Sequence, residues 1–194
     1  IVSGLALGID GTAHEAALSV GGCTVAVLGS GIDETSVYPS RHRMLARRIV
    51  EGGGMVCGEY PPGTLVHTYR FPARNRIIAG LAKAVVVVEA KEKSGALITA
   101  RLAVEEGREV FAVPGPITQP TSAGTNWLIK QGAHPATSAE DILETLEIAA
   151  ARLEKPKPKL TGNEAVLFEL LTREPQHIDE LASRAKLDIS QIVS

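Results

Sequence analysis

The stretch VVVVEAKEKSGALITARLAVEEG, residues 85–107, decides the fold class. Its four consecutive valines have no polar alternation, which predicts a central β-strand that is covered on both faces. The residues from 95 to 107 have the apolar spacing of a helix, and Ser94 and Gly95 stand at its start. A buried strand that leads directly into a helix is the repeating unit of an α/β domain with a parallel sheet.

The same alternation continues on both sides of this stretch. Further strands are predicted at residues 24–29, 55–59 and 109–115, and helices at about 12–20, 39–52, 73–83 and 122–132. We therefore predict an α/β domain over residues 1–150, with a mostly parallel sheet and right-handed crossovers. The opening residues IVSG indicate the end of a strand, so we expect a domain that is truncated on its N-terminal side.

The last quarter of the chain differs in composition. The run KPKPK at residues 155–159 predicts a semi-rigid linker over residues 151–160. Two short amphipathic helices follow at residues 163–172 and 178–185, and a third begins near Ser190. This pattern predicts a small all-helical module over residues 161–194, either a helix-turn-helix or a partial winged helix. Its net charge of −3 favours contact with a protein over the alternative, a reader of duplex DNA.

Overall composition excludes several classes of protein. Of 194 residues, 44% are apolar and 22% charged, which is typical of globular domains and not of disordered or collagen-like chains. The two cysteines exclude a disulfide framework. Apolar runs are too short for a membrane span, and no signal peptide is evident, so we expect a cytoplasmic protein.

The formal net charge of −2 conceals an uneven distribution. Residues 1–37 carry −4, residues 38–93 carry +6 and residues 94–194 carry −4. A basic middle third between acidic flanks indicates an anionic partner, and the competing interpretation is a set of solvated helix faces. The basic segment YPSRHRMLARR, residues 38–48, is open to both interpretations.

The segment RFPARNRIIAGLAKA, residues 70–84, is the strongest candidate for binding an anion. Pro72 is predicted at the first helical position, which places Arg74 and Arg76 in the first turns. Cations there oppose the helix dipole by a few tenths to about 1 kcal/mol each, so either carboxylates or a bound phosphate should offset them. Phe71 within this arginine cluster fits stacking on an unpaired base. The alternative is a core phenylalanine with structural arginines.

Two glycine-containing turns are weaker candidates for binding a phosphate. Ser94 and Gly95 open a helix directly after a strand, which suits phosphate binding but equally suits a plain N-cap. The segment SGLALGIDGTAH, residues 3–14, allows either close backbone approach to a phosphate or a tight turn. Neither segment has the spacing of a dinucleotide or Walker A loop, so we expect no cofactor. Catalytic sets and metal-ligand spacings are not found either, so we predict no metal, no catalytic residue and no enzymatic activity.

Taken together, several blocks resemble the DNA-processing protein A family (DprA, also called Smf). They are SGLALGID, TVAVLGSGID, FPARNRIIAGL, VVVVEA followed by SGALITARLA, VFAVPG and GTNWLIKQGA, and they span residues 1–135. The resemblance implies that residues 1–150 form a Rossmann-like domain with helices on both faces of its sheet. It further implies that this domain binds single-stranded DNA and helps load the recombinase RecA onto it during natural transformation. It also implies displacement of single-strand-binding protein, a homodimer, and a winged helix as the C-terminal module.

The resemblance implies a binding site as well. Its residues would be Arg70, Phe71, Arg74, Asn75 and Arg76 for base and phosphate, Ser94, Gly95 and Thr99 at the facing helix start, and Ser3 and Gly4 at the first strand end. The family's Gly-Ser-Arg loop lies upstream of Ile1, so we expect this chain to bind weakly. The alternative function is hydrolysis of a nucleotide or nucleoside monophosphate by a related Rossmann-like fold, although the Gly-Gly-x-Gly-Thr run typical of such enzymes is missing.

Overall fold

The polypeptide divides into two compact units, Ile1–Ala150 and Ala151–Ser194. The computed structural model describes residues 1–148, 162–170, 176–189 and 191. The predicted linker at residues 151–160 and the start of the predicted third helix, Ser190, lie outside the described residues.

The first unit alternates strands and helices from end to end. Its first elements are β1 (Val2–Ser3), α1 (Ile9–Ser19), β2 (Val25–Leu28), α2 (Arg43–Glu51) and β3 (Met55–Gly58). It continues with α3 (Arg70–Leu81), β4 (Ala84–Val87), α4 (Gly95–Glu105), β5 (Glu109–Ala112), α5 (Ala123–Lys130), β6 (His134–Pro135) and α6 (Ala139–Thr145). Each strand and helix predicted between residues 12 and 132 is present. The two-residue β6 was not predicted, because it carries no run of β-branched residues.

The strands form two parallel sheets of three, in the orders β1–β2–β3 and β4–β5–β6. Val25 pairs with Val2 on one side and Met55 on the other. The prediction of an α/β fold with parallel strands is confirmed. Val85–Val88 are predicted to form a central strand, but among the described strands β4 pairs with β5 alone and stands at the edge of its sheet. Val86 is 40% exposed and Val88 36%.

Helix α3 connects the two halves of this unit, which we call the first half (β1 to β3 with α1 and α2) and the second half (β4 to β6 with α4 and α5). It contacts β1 and β2 in the first half and α4 in the second. Its Ala79 is fully buried in the apolar cluster of the second half, next to Ala100 and Ala103 of α4. These small side chains allow the two helices to approach closely. Residues near the start of α3 consequently lie where the halves meet.

Helix α3 begins at Arg70, two residues before Pro72, so Pro72 is its third residue and not its first as predicted. The first four N–H groups of a helix have no acceptor within the helix, so a proline is tolerated in this turn. Arg70 and Phe71 therefore belong to the first turn, and Arg74 to the second.

In the second unit the structure describes helices α7 (Asn163–Leu170) and α8 (Ile178–Ala185), which contact each other. Both overlap the predicted amphipathic helices. Helix α8 ends at Ala185, and the next residue, Lys186, has a left-handed φ of 54° that breaks the helical path. Among the described helices of both units, none is long and apolar enough to cross a membrane.

Candidate nucleic-acid interface

A cavity of about 530 Å³ lies where the two halves of the first unit meet. Its walls come from β1 and the loop after it, from α3, from β4 and from the start of α4. Seven of the ten predicted site residues line it: Ser3, Gly4, Phe71, Arg74, Asn75, Gly95 and Thr99. The fold thus brings together residues that are up to 96 positions apart in the sequence.

The other three predicted residues do not line this cavity. Arg70 places its guanidinium 4.6 Å from the centre of the Tyr60 ring. Arg76 forms an exposed ion pair with Glu59. The Ser94 hydroxyl caps α4 by accepting a hydrogen bond from the N–H of Ala96 at 3.3 Å, as the plain N-cap interpretation expects.

Arg74 is buried, with only 6% of the residue exposed. Its guanidinium donates to the carbonyls of Gly4, at 3.0 Å, and Val27, and its Nε donates to the Asn75 Oδ1 at 3.2 Å. Burial lowers the pKa of Arg74, and the Asp10 carboxylate opposes that shift. The side chain therefore ties α3 to the ends of β1 and β2 and leaves a positive charge in the cavity wall.

Gly4 is required by this packing. A Cβ at this position would lie 2.4 Å from a guanidinium nitrogen of Arg74, which is closer than any side chain tolerates. The glycine-rich turn after β1 therefore leaves room for the buried Arg74 side chain. This role adds to the two interpretations of the sequence, a phosphate loop and a tight turn.

Two aromatic rings form the rim of the cavity. The centroids of Tyr38 and Phe71 lie 6.0 Å apart with the rings tilted by 36°. The Arg74 guanidinium carbon lies 5.9 Å from the centre of the Phe71 ring, within range of a cation–π contact. Tyr38 is 52% exposed, so its ring is accessible to a planar ligand. Sequence reasoning did not select Tyr38, because only the fold brings it next to Phe71.

The loop that leads to Tyr38 is held by Asp33. This carboxylate accepts hydrogen bonds from the hydroxyls of Thr35, at 2.6 Å, and Ser36, at 2.9 Å, and from the N–H of Gly63 at 2.7 Å. These bonds hold the pKa of Asp33 well below its ordinary value. Asp33 therefore stays ionised and fixes the aromatic rim to the loop that precedes α3.

The N-terminus of α4 faces the cavity from the second half. A Cβ built on Gly95 would meet no atom within 4 Å, so open space lies in front of this helix end. Asn75 Nδ2 and Thr99 Oγ1 both donate to the Gly95 carbonyl at 3.5 Å. The positive end of the helix dipole favours an anion at such a position.

Asp10 is a lining residue that the sequence did not point to. Its Oδ2 accepts hydrogen bonds from the N–H groups of Gly4, at 2.9 Å, and Ala6, at 3.1 Å. The carboxylate thus closes the turn between β1 and α1 and partly compensates the charge of Arg74. In the described parts of the chain, no group of three or more histidine, cysteine or acidic side chains is arranged to hold a metal ion.

The family model for DNA recombination-mediator protein A matches residues 1–147. The chain belongs to this family. A second model, for the DprA winged helix domain, matches residues 149–194. The resemblance inferred from the sequence blocks is therefore confirmed for both parts of the chain.

Curated relatives place this match in context. Protein Smf from Escherichia coli is 55% identical over 147 residues, which are 76% of this chain and 39% of the relative. DNA processing protein DprA from Streptococcus pneumoniae is 50% identical over 147 residues, 76% of this chain and 51% of the relative. The putative DprA of Mycobacterium tuberculosis is 43% identical over the whole chain and 51% of its own length. The chain thus spans about half the length, or less, of these relatives.

Two solved structures have the same fold. The X-ray structure of DprA from Streptococcus pneumoniae superposes with a TM-score of 0.68 at 49% identity, covering 74% of this chain and 50% of that one. The structure of DNA processing protein A from Helicobacter pylori gives a TM-score of 0.67 at 31% identity, covering 76% and 65%. The Helicobacter protein has a single-stranded DNA binding mode described as unique.

Proposed function

We propose that this chain binds single-stranded DNA at the mouth of the cavity between the two halves. The observation that carries the proposal is the Tyr38–Phe71 ring pair, which lies beside the Arg74 guanidinium and lines one cavity with the start of α4. An unpaired base can stack on an exposed aromatic ring, while the adjacent phosphate lies at the helix N-terminus.

The charge in the cavity wall supports an anionic ligand. Arg74 is the positively charged side chain that lines the cavity, and the Asp10 carboxylate compensates it only in part. On the loop between β4 and α4 the exposed Lys91 and Lys93 are balanced by the exposed Glu89 and Glu92. Binding that depends on phosphate contacts weakens as salt rises, and stacking gives little sequence preference. We therefore expect salt-sensitive binding to oligonucleotides of any sequence.

The finer role follows from the family. We propose that the chain acts without catalysing a reaction, as part of a homodimer that helps to load RecA onto single-stranded DNA from which single-strand-binding protein is displaced. We propose that the chain performs this role in the cytoplasm. Support comes from the recombination-mediator family and from the single-stranded DNA binding mode of the Helicobacter relative.

Fluorescence anisotropy with a labelled deoxythymidine oligomer tests the binding site. Replacing Phe71 by alanine removes one stacking surface, worth about 1–3 kcal/mol per base, so we expect a roughly 5- to 150-fold loss of affinity. Tyr69→Ala is the matched control, because Tyr69 is exposed beside the same helix but stacks on His67 outside the cavity. Its affinity should match that of the wild type within about twofold.

Two outcomes contradict the proposal. One is equal affinity in the Phe71→Ala and Tyr69→Ala variants while both remain folded. The other is release of free base when the wild-type chain is incubated with nucleoside monophosphates, which would favour the hydrolase alternative. Stimulation of RecA filament formation on DNA coated with single-strand-binding protein tests the mediator role separately.

A further inference from the structure

The turn after β1 carries two leucines in opposite environments. Leu5 is fully buried in the apolar cluster of the first half, together with Leu28 and Ile49. Leu7, two residues later, is 59% exposed and lines the same cavity as Phe71. Because the two side chains are identical, the path of the backbone decides which of them is presented to solvent.

The backbone of this turn is held in an unfavourable conformation. Leu5 has a φ of 61°, in the left-handed region that favours glycine. A residue with a side chain keeps such a φ only where the surrounding structure enforces it, and such residues are frequent in ligand clamps. Here the Leu5 side chain is packed in the core, and its carbonyl accepts a hydrogen bond from Nδ1 of His42 at 2.8 Å.

Hydrogen bonds also hold the other residues that precede Leu7. The Asp10 carboxylate accepts from the N–H groups of Gly4, at 2.9 Å, and Ala6, at 3.1 Å. The Arg74 guanidinium donates to the Gly4 carbonyl at 3.0 Å. The turn is therefore fixed before a ligand arrives, so Leu7 contacts that ligand with little loss of backbone entropy.

A single exposed apolar residue is common on protein surfaces and by itself indicates nothing. Val20, directly after α1, is such a residue: it is 66% exposed and lies outside the cavity lining. Leu7 differs from Val20 in two respects. The backbone before it is fixed by the hydrogen bonds described above, and its side chain lines the cavity that Phe71 and Tyr38 also line.

We propose that Leu7 contacts the free face of the DNA base that stacks on Phe71, so that the base lies between an aliphatic side chain and an aromatic ring. Proteins that take a base out of its stack hold it between aromatic and apolar side chains in this way. A base within a duplex has neighbours on both faces, so Leu7 favours single strands with an unstacked base. The inference rests on the proposed function, because it adds a second contact to the same base.

Fluorescence anisotropy with a labelled deoxythymidine oligomer measures this contact. Leu7→Ala should bind at least about fivefold more weakly than the wild type, because the base loses apolar contact area. Leu7→Met keeps an apolar side chain of similar volume and should bind within about twofold of the wild type. Val20→Ala is the matched control and should also stay within about twofold. Since Leu7 and Val20 are both exposed, all three variants should keep the wild-type unfolding midpoint in urea.

An oligomer of abasic residues separates a contact with the base from a contact with the DNA backbone. The wild type and Leu7→Ala should bind it at low salt with affinities within about twofold of each other, because only phosphate contacts remain. An equal loss of affinity for both oligomers would place Leu7 against the DNA backbone and overturn the proposal. Equal affinities of Leu7→Ala and Val20→Ala for deoxythymidine would also overturn it, and would leave the proposed function intact if Phe71→Ala still weakens binding. Failure of the wild type to bind any oligomer would overturn both.

Discussion

The first and second halves of the α/β unit use the same strand and helix plan but have different interiors. In the first half, buried polar groups lie among the apolar side chains, namely His14, Thr24, Ser30 and the Arg74 guanidinium that α3 supplies. The apolar cluster of the second half is built from alanine, valine and leucine, and among the described residues of that half only Thr125 is a buried polar side chain. One half is therefore held in part by specific hydrogen bonds, and the other mainly by apolar packing.

This difference matches what each half contributes to the cavity. The first half supplies the aromatic ring of Tyr38, which needs an exact position, and the Asp33 loop that fixes it. The second half supplies a helix end, which acts through its dipole and requires only open space at Gly95. We infer that removing a polar group will lower the free energy of unfolding more in the first half than in the second.

The largest effect is expected for Arg74→Met. The substitution keeps much of the side-chain volume but leaves the buried carbonyls of Gly4 and Val27 without their donor. An unsatisfied buried polar group costs about 1–3 kcal/mol, so we expect the free energy of unfolding to fall by about 2–4 kcal/mol in urea titrations. Arg76→Met is the control, since its exposed ion pair with Glu59 is worth under about 1 kcal/mol.

Equal stability of the two variants would contradict the comparison between the halves. It would mean that the guanidinium of Arg74 contributes no more to the fold than a surface ion pair does. Arg74 would then be available as a ligand for phosphate, as the sequence alone suggests.

A pH-dependent loss of stability is expected from His14. Its Nδ1 lies 2.6 Å from the Thr24 hydroxyl, which itself donates to the Ile1 carbonyl, so Nδ1 donates and the buried Nε2 has no partner. Burial lowers the pKa of His14, an effect that Asp10 opposes and the N-terminal amine and His42 increase. The unfolded chain therefore binds this proton more readily, and stability falls as pH drops below about 6.5.

Urea titrations between pH 7.5 and 5.5 measure this effect. The slope from one histidine is at most about 1.4 kcal/mol per pH unit. His14→Gln keeps an amide that can donate to Thr24 but does not titrate, so its stability should change less with pH. Identical slopes in the wild type and the His14→Gln variant would show that His14 is not the titrating group.

A smaller effect is expected at the start of α4. Ser94→Ala removes the hydroxyl that caps this helix, which typically costs about 1 kcal/mol of stability. Ser94→Asn should restore most of the loss, because its side chain can cap the same N–H. If the alanine variant were as stable as the wild type, the cap would contribute nothing to the second half.

The sequence predicted the order and type of the elements well, because short apolar runs and helical spacing are local signals. The sequence did not predict features that depend on contacts between residues far apart in the chain. The composition of β4 predicts a central strand, whereas β4 is an edge strand among the described strands. The arginines of α3 look alike in sequence, yet Arg74 is buried under Gly4, while Arg76 pairs with Glu59, 17 residues away.

The candidate site shows the same limit. Phe71, Asn75 and Gly95 were found through local motifs or the family resemblance, and the fold places them in one cavity. Tyr38 and Asp10 were missed, since a ring pair and a turn-closing carboxylate are recognisable only once the chain is folded.

The central claim, that the mouth of this cavity binds single-stranded DNA, is tested most directly by placing a negative charge at the start of α4. Gly95→Asp meets no steric obstacle, and an acidic residue in the first turn favours the helix, so the variant should be as stable as the wild type. Gly80→Asp adds the same charge on α3, also into open space, at a residue outside the cavity lining. In anisotropy titrations with a deoxythymidine oligomer, we predict at least tenfold weaker binding for Gly95→Asp and less than a twofold change for Gly80→Asp. Equal affinities of the two variants, or no binding by the wild-type chain at low salt, would contradict the claim.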